Sequence, residues 1–385
     1  MGALQHVACA KIWSNVDTVE QPLLGHREPS QRYVGRHRRC LQFGVRKGDL
    51  THGAGSEREK LQRPPILVDA TPNSWDVAMK TFIRITEIWV PNEDRTELRY
   101  YDGFYGSHNE FRALSQQMRF RYNEGLPGKA WAARHPVIFR ELEDSDFKRI
   151  EAARAIGLTC GVALPVFAGD LLNAVVVFLC GDGKVGAGAM ELWHNDPGKF
   201  FELRLVDGYY GPALMFELNS RHSGFPRGYG LPGRVWRSNM PLIVKDLHDS
   251  KVFLRWKEAL EIGVNRGLGI PYPHPSGQMW VMTFLSARDT PIARRFEIWV
   301  PTQEQDFLIL HANDRDQDVE FATKHDVVKI DQGNGAIGQA WATKIPTVLA
   351  TIDDQSLMGG MELNAVVAVP FMNNQELKAV MAWHF

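Results

Sequence analysis

A seven-residue motif returns at a domain-length interval. Gly125-Leu126-Pro127-Gly128-Lys129-Ala130-Trp131 recurs as Gly230-Leu231-Pro232-Gly233-Arg234-Val235-Trp236, and again as Gly335-Ala336-Ile337-Gly338-Gln339-Ala340-Trp341. Trp131, Trp236 and Trp341 are each 105 residues apart. A period that long is a domain, not a solenoid repeat. The chain therefore reads as three copies of one domain with something partial in front. Small domains repeated in series without catalytic apparatus sense or bind.

Other landmarks keep step with the motif. Five residues after each Trp, a proline opens an apolar run: Pro136-Val-Ile-Phe139, Pro241-Leu-Ile-Val244 and Pro346-Thr-Val-Leu349. Such runs predict strands whose first residue needs no ladder donor. Upstream stand Glu87-Ile88-Trp89, Glu191-Leu192-Trp193 and Glu297-Ile298-Trp299. Downstream come proline-centred strands around Pro165, Pro271 and Pro370, then closing apolar strands Asn173–Phe178, Gln278–Phe284 and Lys378–Trp383. Between the prolines, Phe147-Lys-Arg149 and Phe253-Leu-Arg255 each precede an Ala (153, 259) and a Gly (157, 263) at matching offsets, which predicts a helix that the glycine ends. The third copy is shorter there and carries Met358-Gly359-Gly360-Met361, which predicts a clipped helix.

At 385 residues one core is too small a solution, and three units of about 105 residues match usual domain size. The domains are expected at 79–183, 184–289 and 290–385 (shortened), with 1–78 a partial or degenerate copy. There Lys11-Ile12-Trp13 and Pro64-Pro65-Ile66-Leu67-Val68 echo the landmarks without a second half. A formal net charge of −1 gives no field for nucleic acid or membrane. No apolar run predicts a transmembrane helix or a secretory signal. The four cysteines (Cys9, Cys40, Cys160, Cys180) do not form a disulfide scaffold, so the cytoplasm is the expected location. Phe385 falls inside the last strand, so no output domain is expected after the third copy.

These landmarks resemble the GAF domain, a small-molecule sensor module of signalling proteins. The likeness rests on Glu-Ile-Trp-Val-Pro, Gly-Leu-Pro-Gly-x-x-Trp with its following strand, the Phe-x-Arg-x-x-x-Ala helix and the strand holding the second proline. It covers roughly 79–385. It implies an α+β fold of repeated domains, each an antiparallel sheet of five or six strands flanked by helices. Helices would cover one face, with a pocket between the other face and irregular segments. It also implies that Phe147, Arg149, Phe253 and Arg255 line the pockets of copies one and two. There the arginines could grip a ligand carboxylate or phosphate bidentately.

Several chemistries lack their residues. Gly-Leu-Pro-Gly is not followed by Lys-Ser/Thr, so it is a helix start carrying a packed Trp rather than a phosphate loop. Some GAF relatives attach a bilin to cysteine and others reduce methionine sulfoxide with cysteines. Cys160 and Cys180 sit in apolar strands, where a thiol is inert, and the other copies have no counterpart. No cyclic-nucleotide pattern, metal spacing or hydrolase signature is present. Arg36-His37-Arg38-Arg39 is expected to be a solvated patch. The expectation is thus a non-catalytic sensor without cofactor or metal, binding an unknown small molecule or a protein partner. The alternative is a degenerate array for dimerisation or scaffolding, and a thiol reductase ranks behind both.

Overall fold

Each proline-opened run is a strand, and each Gly-Leu-Pro-Gly opens a helix. A computed structural model describes residues 81–181, 188–249, 253–287, 291–314, 328–349 and 365–385. The echo in 1–78, with Cys9, Cys40 and Arg36–Arg39, lies outside the described residues, as does Met358–Met361.

The first repeat runs β1 (Ile83–Pro91), β2 (Glu97–Phe104), α1 (Asn109–Gln117), β3 (Arg119–Arg121), α2 (Gly125–Ala133), β4 (Val137–Phe139), α3 (Ile150–Ala155), β5 (Leu158–Ala168) and β6 (Leu171–Gly181). Its six strands form one antiparallel sheet in the order β3-β2-β1-β6-β5-β4. The second and third repeats reproduce that order strand for strand. Their central hairpins are Val264–Pro273 with Met279–Ala287, and Val366–Asn373 with Glu376–His384.

The motif glycines have two separate jobs. Gly125, Gly230 and Gly335 adopt φ of 58°, 61° and 58°, a left-handed conformation that glycine tolerates best. Gly128 and Gly233 lie against backbone: a Cβ there would stand 2.2 Å from the Arg121 carbonyl oxygen and 2.1 Å from that of Pro226. The tryptophans depart from the expectation of a core position. Trp131 and Trp236 are only half-buried, and Trp341 alone is buried. The helical phase instead points Ala130 and Val235 inward. The helix predicted from Phe147 is also shorter than expected. It covers Ile150–Ala155, with Phe147 and Arg149 in the preceding turn, and Gly157 at φ 73° ends it as expected.

The two faces of each sheet are covered differently from what the family likeness implies. In the first repeat α1, α2 and α3 share one face, closing over Ile85, Trp89, Val175 and Val177. The other face packs on the other two sheets. Val162, Leu164, Val176 and Phe178 join Leu268, Ile270, Met282 and Phe284 of the second repeat, and Val367, Val369, Met381 and Trp383 of the third, in one core. The reason is in the strands: Ala174-Val-Val-Val-Phe-Leu-Cys180 is apolar on both faces, so both must be covered.

Phe178, Phe284 and Trp383 hold the same strand position in the three repeats. Their ring centroids are 6.3, 5.5 and 6.0 Å apart (178–284, 178–383 and 284–383), a triangle around a common axis. The contacts around that axis are head-to-tail. β4 meets Glu202–Tyr209 of the second repeat, Leu242–Val244 meets Leu308–Asn313 of the third, and Thr347–Leu349 returns to β2. Equivalent contacts that return to their start close a ring. At the first seam Arg140 Nε is 2.6 Å from Asp207, and its Nη1 is 3.2 Å from Glu217. His135 and His194 stack on opposite repeats' common partner Trp280, at 3.6 and 3.9 Å between centroids. At the third seam the Gly169 amide donates to the Asn374 carbonyl (2.7 Å).

Candidate functional site

An acid in an apolar strand demands a partner. Strand alternation places Ile85, Glu87 and Trp89 on the helix-covered face, so the Glu87 carboxylate has no exposure at all. Arg149, in the turn before α3, supplies the charge. Its Nη1 lies 2.5 Å from Oε1 and its Nη2 2.9 Å from Oε2, a two-pronged pair. Trp89 Nε1 donates to Oε2 (3.1 Å) and the Tyr105 hydroxyl to Oε1 (3.2 Å). Ser115 Oγ lies 2.8 Å from Oε1 and also accepts from Arg149. The guanidinium sits over Phe111 and Phe147, 4.7 and 5.2 Å from their centroids.

The second repeat builds the same cluster. Arg255 grips Glu191 at 2.5 and 2.9 Å, under donors from Trp193 (3.1 Å), Tyr210 (3.0 Å) and Thr283 (3.1 Å). Burial alone would push the Glu191 carboxyl up, but Arg255 beside it, with the hydrogen bonds, holds it below the ordinary carboxylate range. Burial, then the neighbouring carboxylate, raises Tyr105 and Tyr210 so far that both stay protonated donors. The third repeat differs. Trp299 Nε1 still donates to Glu297 (2.9 Å), but the carboxylate is met by Arg295 and by His384, whose Nε2 lies 3.0 Å from Oε2. Its sequence has no arginine between 350 and 364.

All four residues predicted to line pockets are therefore brought to the helix-covered face. Phe147, Arg149, Phe253 and Arg255 are all buried. The anion that each arginine grips belongs to the chain itself. Sequence reasoning missed Glu87 and Glu191 as partners, together with Tyr105, Phe111 and Ser115. A signal existed: Asp102-Gly-Phe-Tyr105-Gly recurs as Asp207-Gly-Tyr-Tyr210-Gly, and Phe111 and Ser115 recur as Phe216 and Ser220. Cys160 and Cys180, opposite each other on β5 and β6, are free and wholly buried in the shared core, and burial pushes the Cys180 thiol up.

No family model and no curated protein matches the chain. Solved structures match in part. A GAF domain of A. aeolicus nlh2 aligns at 19% identity and a TM-score of 0.22, over 26% of this chain and 59% of that one. A GAF/HD domain protein from Geobacter sulfurreducens aligns at 13% and 0.23, over 26% and 63%. Free methionine-R-sulfoxide reductase from Neisseria meningitidis aligns at 14% and 0.20, over 25% and 52%. This chain thus spans little more than half of the first and third of these proteins, and each alignment takes up about one repeat. Each repeat here is a six-stranded antiparallel sheet with helices, within the five or six strands that the resemblance implied. In fold, the repeats are GAF-like. Among the described residues of this GAF-like array, no helix is long and apolar enough to cross a membrane.

Proposed function

We propose that this chain is a non-catalytic binding protein of the cytosol, a ring of GAF-like domains that takes part in signalling by holding a small molecule or a protein partner. One observation carries the reading. In the first two repeats the buried carboxylates between sheet and helices are each closed off by their own arginine, Glu87 by Arg149 and Glu191 by Arg255, with only the arginine Nε atoms of these pairs left without a hydrogen bond. A catalytic group must meet its substrate with spare bonding capacity. In these clusters, each carboxylate is neutralised and each hydroxyl is engaged. Phe147, Arg149, Phe253 and Arg255 then serve binding by fixing the loop before α3 and its counterpart, and a ligand anion would have to displace a glutamate to reach the guanidinium.

The ring closure favours a scaffold as the second reading: three head-to-tail seams hold the repeats in one arrangement. Native mass spectrometry of the purified chain separates the two. A retained non-protein mass supports ligand binding, and a bare self-associated species supports the scaffold. Turnover of methionine sulfoxide that is lost in Cys160→Ser would overturn the non-catalytic reading.

A further inference from the structure

The three sheets converge on the axis through equivalent strands, each with a proline at the same position: Pro165, Pro271 and Pro370. The next residue of each, Val166, Tyr272 or Phe371, points to the shared core. At this end of the ring they line a cavity of about 350 Å³, to which every repeat contributes. That volume lies in the range of small-molecule pockets. We infer that this axial cavity is a binding site for one small carboxylic acid with an apolar body, an inference that rests on the non-catalytic binding reading and gives the ligand a place.

The walls set the body of the ligand. Ile270, Phe371 and Met381 supply apolar surface, and the three prolines offer no amide donors. The polar side chains of the lining differ from repeat to repeat: Arg134 and Asp170 in the first, Tyr272 and His274 in the second, Asn373 and Asn374 in the third. The Tyr272 hydroxyl has no hydrogen-bond partner among the described residues, while burial keeps it protonated. Tyr272 is part-buried, so its hydroxyl is open to solvent on the cavity side and can turn to an acceptor from a ligand. Its counterparts, Val166 and Phe371, have no hydroxyl, so this hydroxyl occurs once around the axis.

Arg134 lies on the same lining. Its guanidinium stacks on Phe167 at 4.3 Å and donates to the Gly169 carbonyl (3.0 Å) and the Asp170 carboxylate (3.2 Å). The Asp170 side chain is 89% exposed, so that ion pair is worth little and yields to a better-placed anion. Guanidinium has five donors in a fork that suits a carboxylate. The equivalent helix-end residues are Asn239 and Lys344, so the fork is present once. One forked cation and one unpaired hydroxyl beside an apolar wall describe a monocarboxylate bound in a single orientation, taking the place of Asp170 on the fork. Because all three repeats form the wall, occupancy favours the closed ring over any arrangement that splays it.

The test titrates full-length protein with 4-phenylbutyrate, phenylacetate and the neutral 4-phenylbutyramide, by calorimetry and by the fluorescence of Trp280, which pairs with Tyr272 across the hairpin. The parent is expected to bind one acid per chain saturably, with the amide about tenfold weaker, the loss of one charge-assisted hydrogen bond. Arg134→Asn, which tolerates the left-handed backbone there, should weaken the acid about tenfold and leave the amide alone. Tyr272→Phe should weaken both. Circular dichroism melts confirm that each variant is folded. Absence of saturable binding by both acids overturns the axial site, as does binding that neither substitution changes. The second result would place the ligand elsewhere and leave the binding reading standing. Conversion of any of the three compounds would sink the non-catalytic reading without touching the site.

Discussion

Removing Arg149 strands Glu87, and the cost can be worked out from the cluster. The Arg149 side chain is 4% exposed and Glu87 is fully enclosed. Arg149→Ala deletes two charge-assisted bonds and the stack on Phe111 and Phe147, and leaves a carboxylate with only neutral donors from Trp89, Tyr105 and Ser115. Breaking a buried pair from one side costs about 3–5 kcal/mol. With a urea slope of about 3 kcal/mol/M, the unfolding midpoint falls by more than about 1 M. Replacing both partners, Glu87→Leu with Arg149→Met, removes the stranded charge as well and should cost less than the single change. Urea titration followed by tryptophan fluorescence reads the whole cycle. The outcome that refutes the reasoning is an Arg149→Ala protein within about 1 kcal/mol of the parent. That result would mean the guanidinium is free to serve a ligand.

Other consequences are open to measurement. Gly128→Ala drives a methyl into the Arg121 carbonyl oxygen, and should cost more than the fraction of a kcal/mol that Gly→Ala gains in an ordinary helix, read as a lower melting temperature. Arg140→Ala removes a half-exposed seam pair and should shift stability by about 1 kcal/mol or less in a urea titration. His135, part-buried and stacked on Trp280, has its pKa lowered, chiefly by desolvation; the unfolded chain therefore takes up protons first, and stability should fall as pH drops below the ordinary imidazole value of about 6.5. His135→Phe should flatten that decline in a pH series of urea midpoints.

Much of the fold is legible from the sequence because its signals are local. A proline before a run of β-branched, aliphatic or aromatic residues opens a strand, and Gly157 ends a helix, wherever the neighbours sit. The parts that are not legible depend on distant partners. Arg149 and Glu87 are 62 residues apart, and an arginine in a turn reads the same whether solvent or a glutamate awaits it. A lone acid in each Glu-Ile-Trp strand was the clue that a buried partner must exist. The shared core is hidden for a different reason. The run Ala174–Cys180 says that both faces of β6 are covered, and it cannot say that two other sheets do the covering. The axial cavity follows from that packing, so its lining could not be collected from any one repeat's motif.

A ring of three repeats around one core makes a demand that separate beads on a string do not. The strands Leu171–Gly181, Met279–Ala287 and Glu376–His384 meet at Phe178, Phe284 and Trp383, so they should open together. Native-state hydrogen exchange of the full chain, compared with Phe178→Ala, measures this strand by strand. A large aromatic removed from a core costs about 3–5 kcal/mol. The ring predicts that the substitution in the first repeat lowers protection of all three strands by a similar free energy. Loss confined to Leu171–Gly181, with the other two strands protected as before, would contradict the shared core.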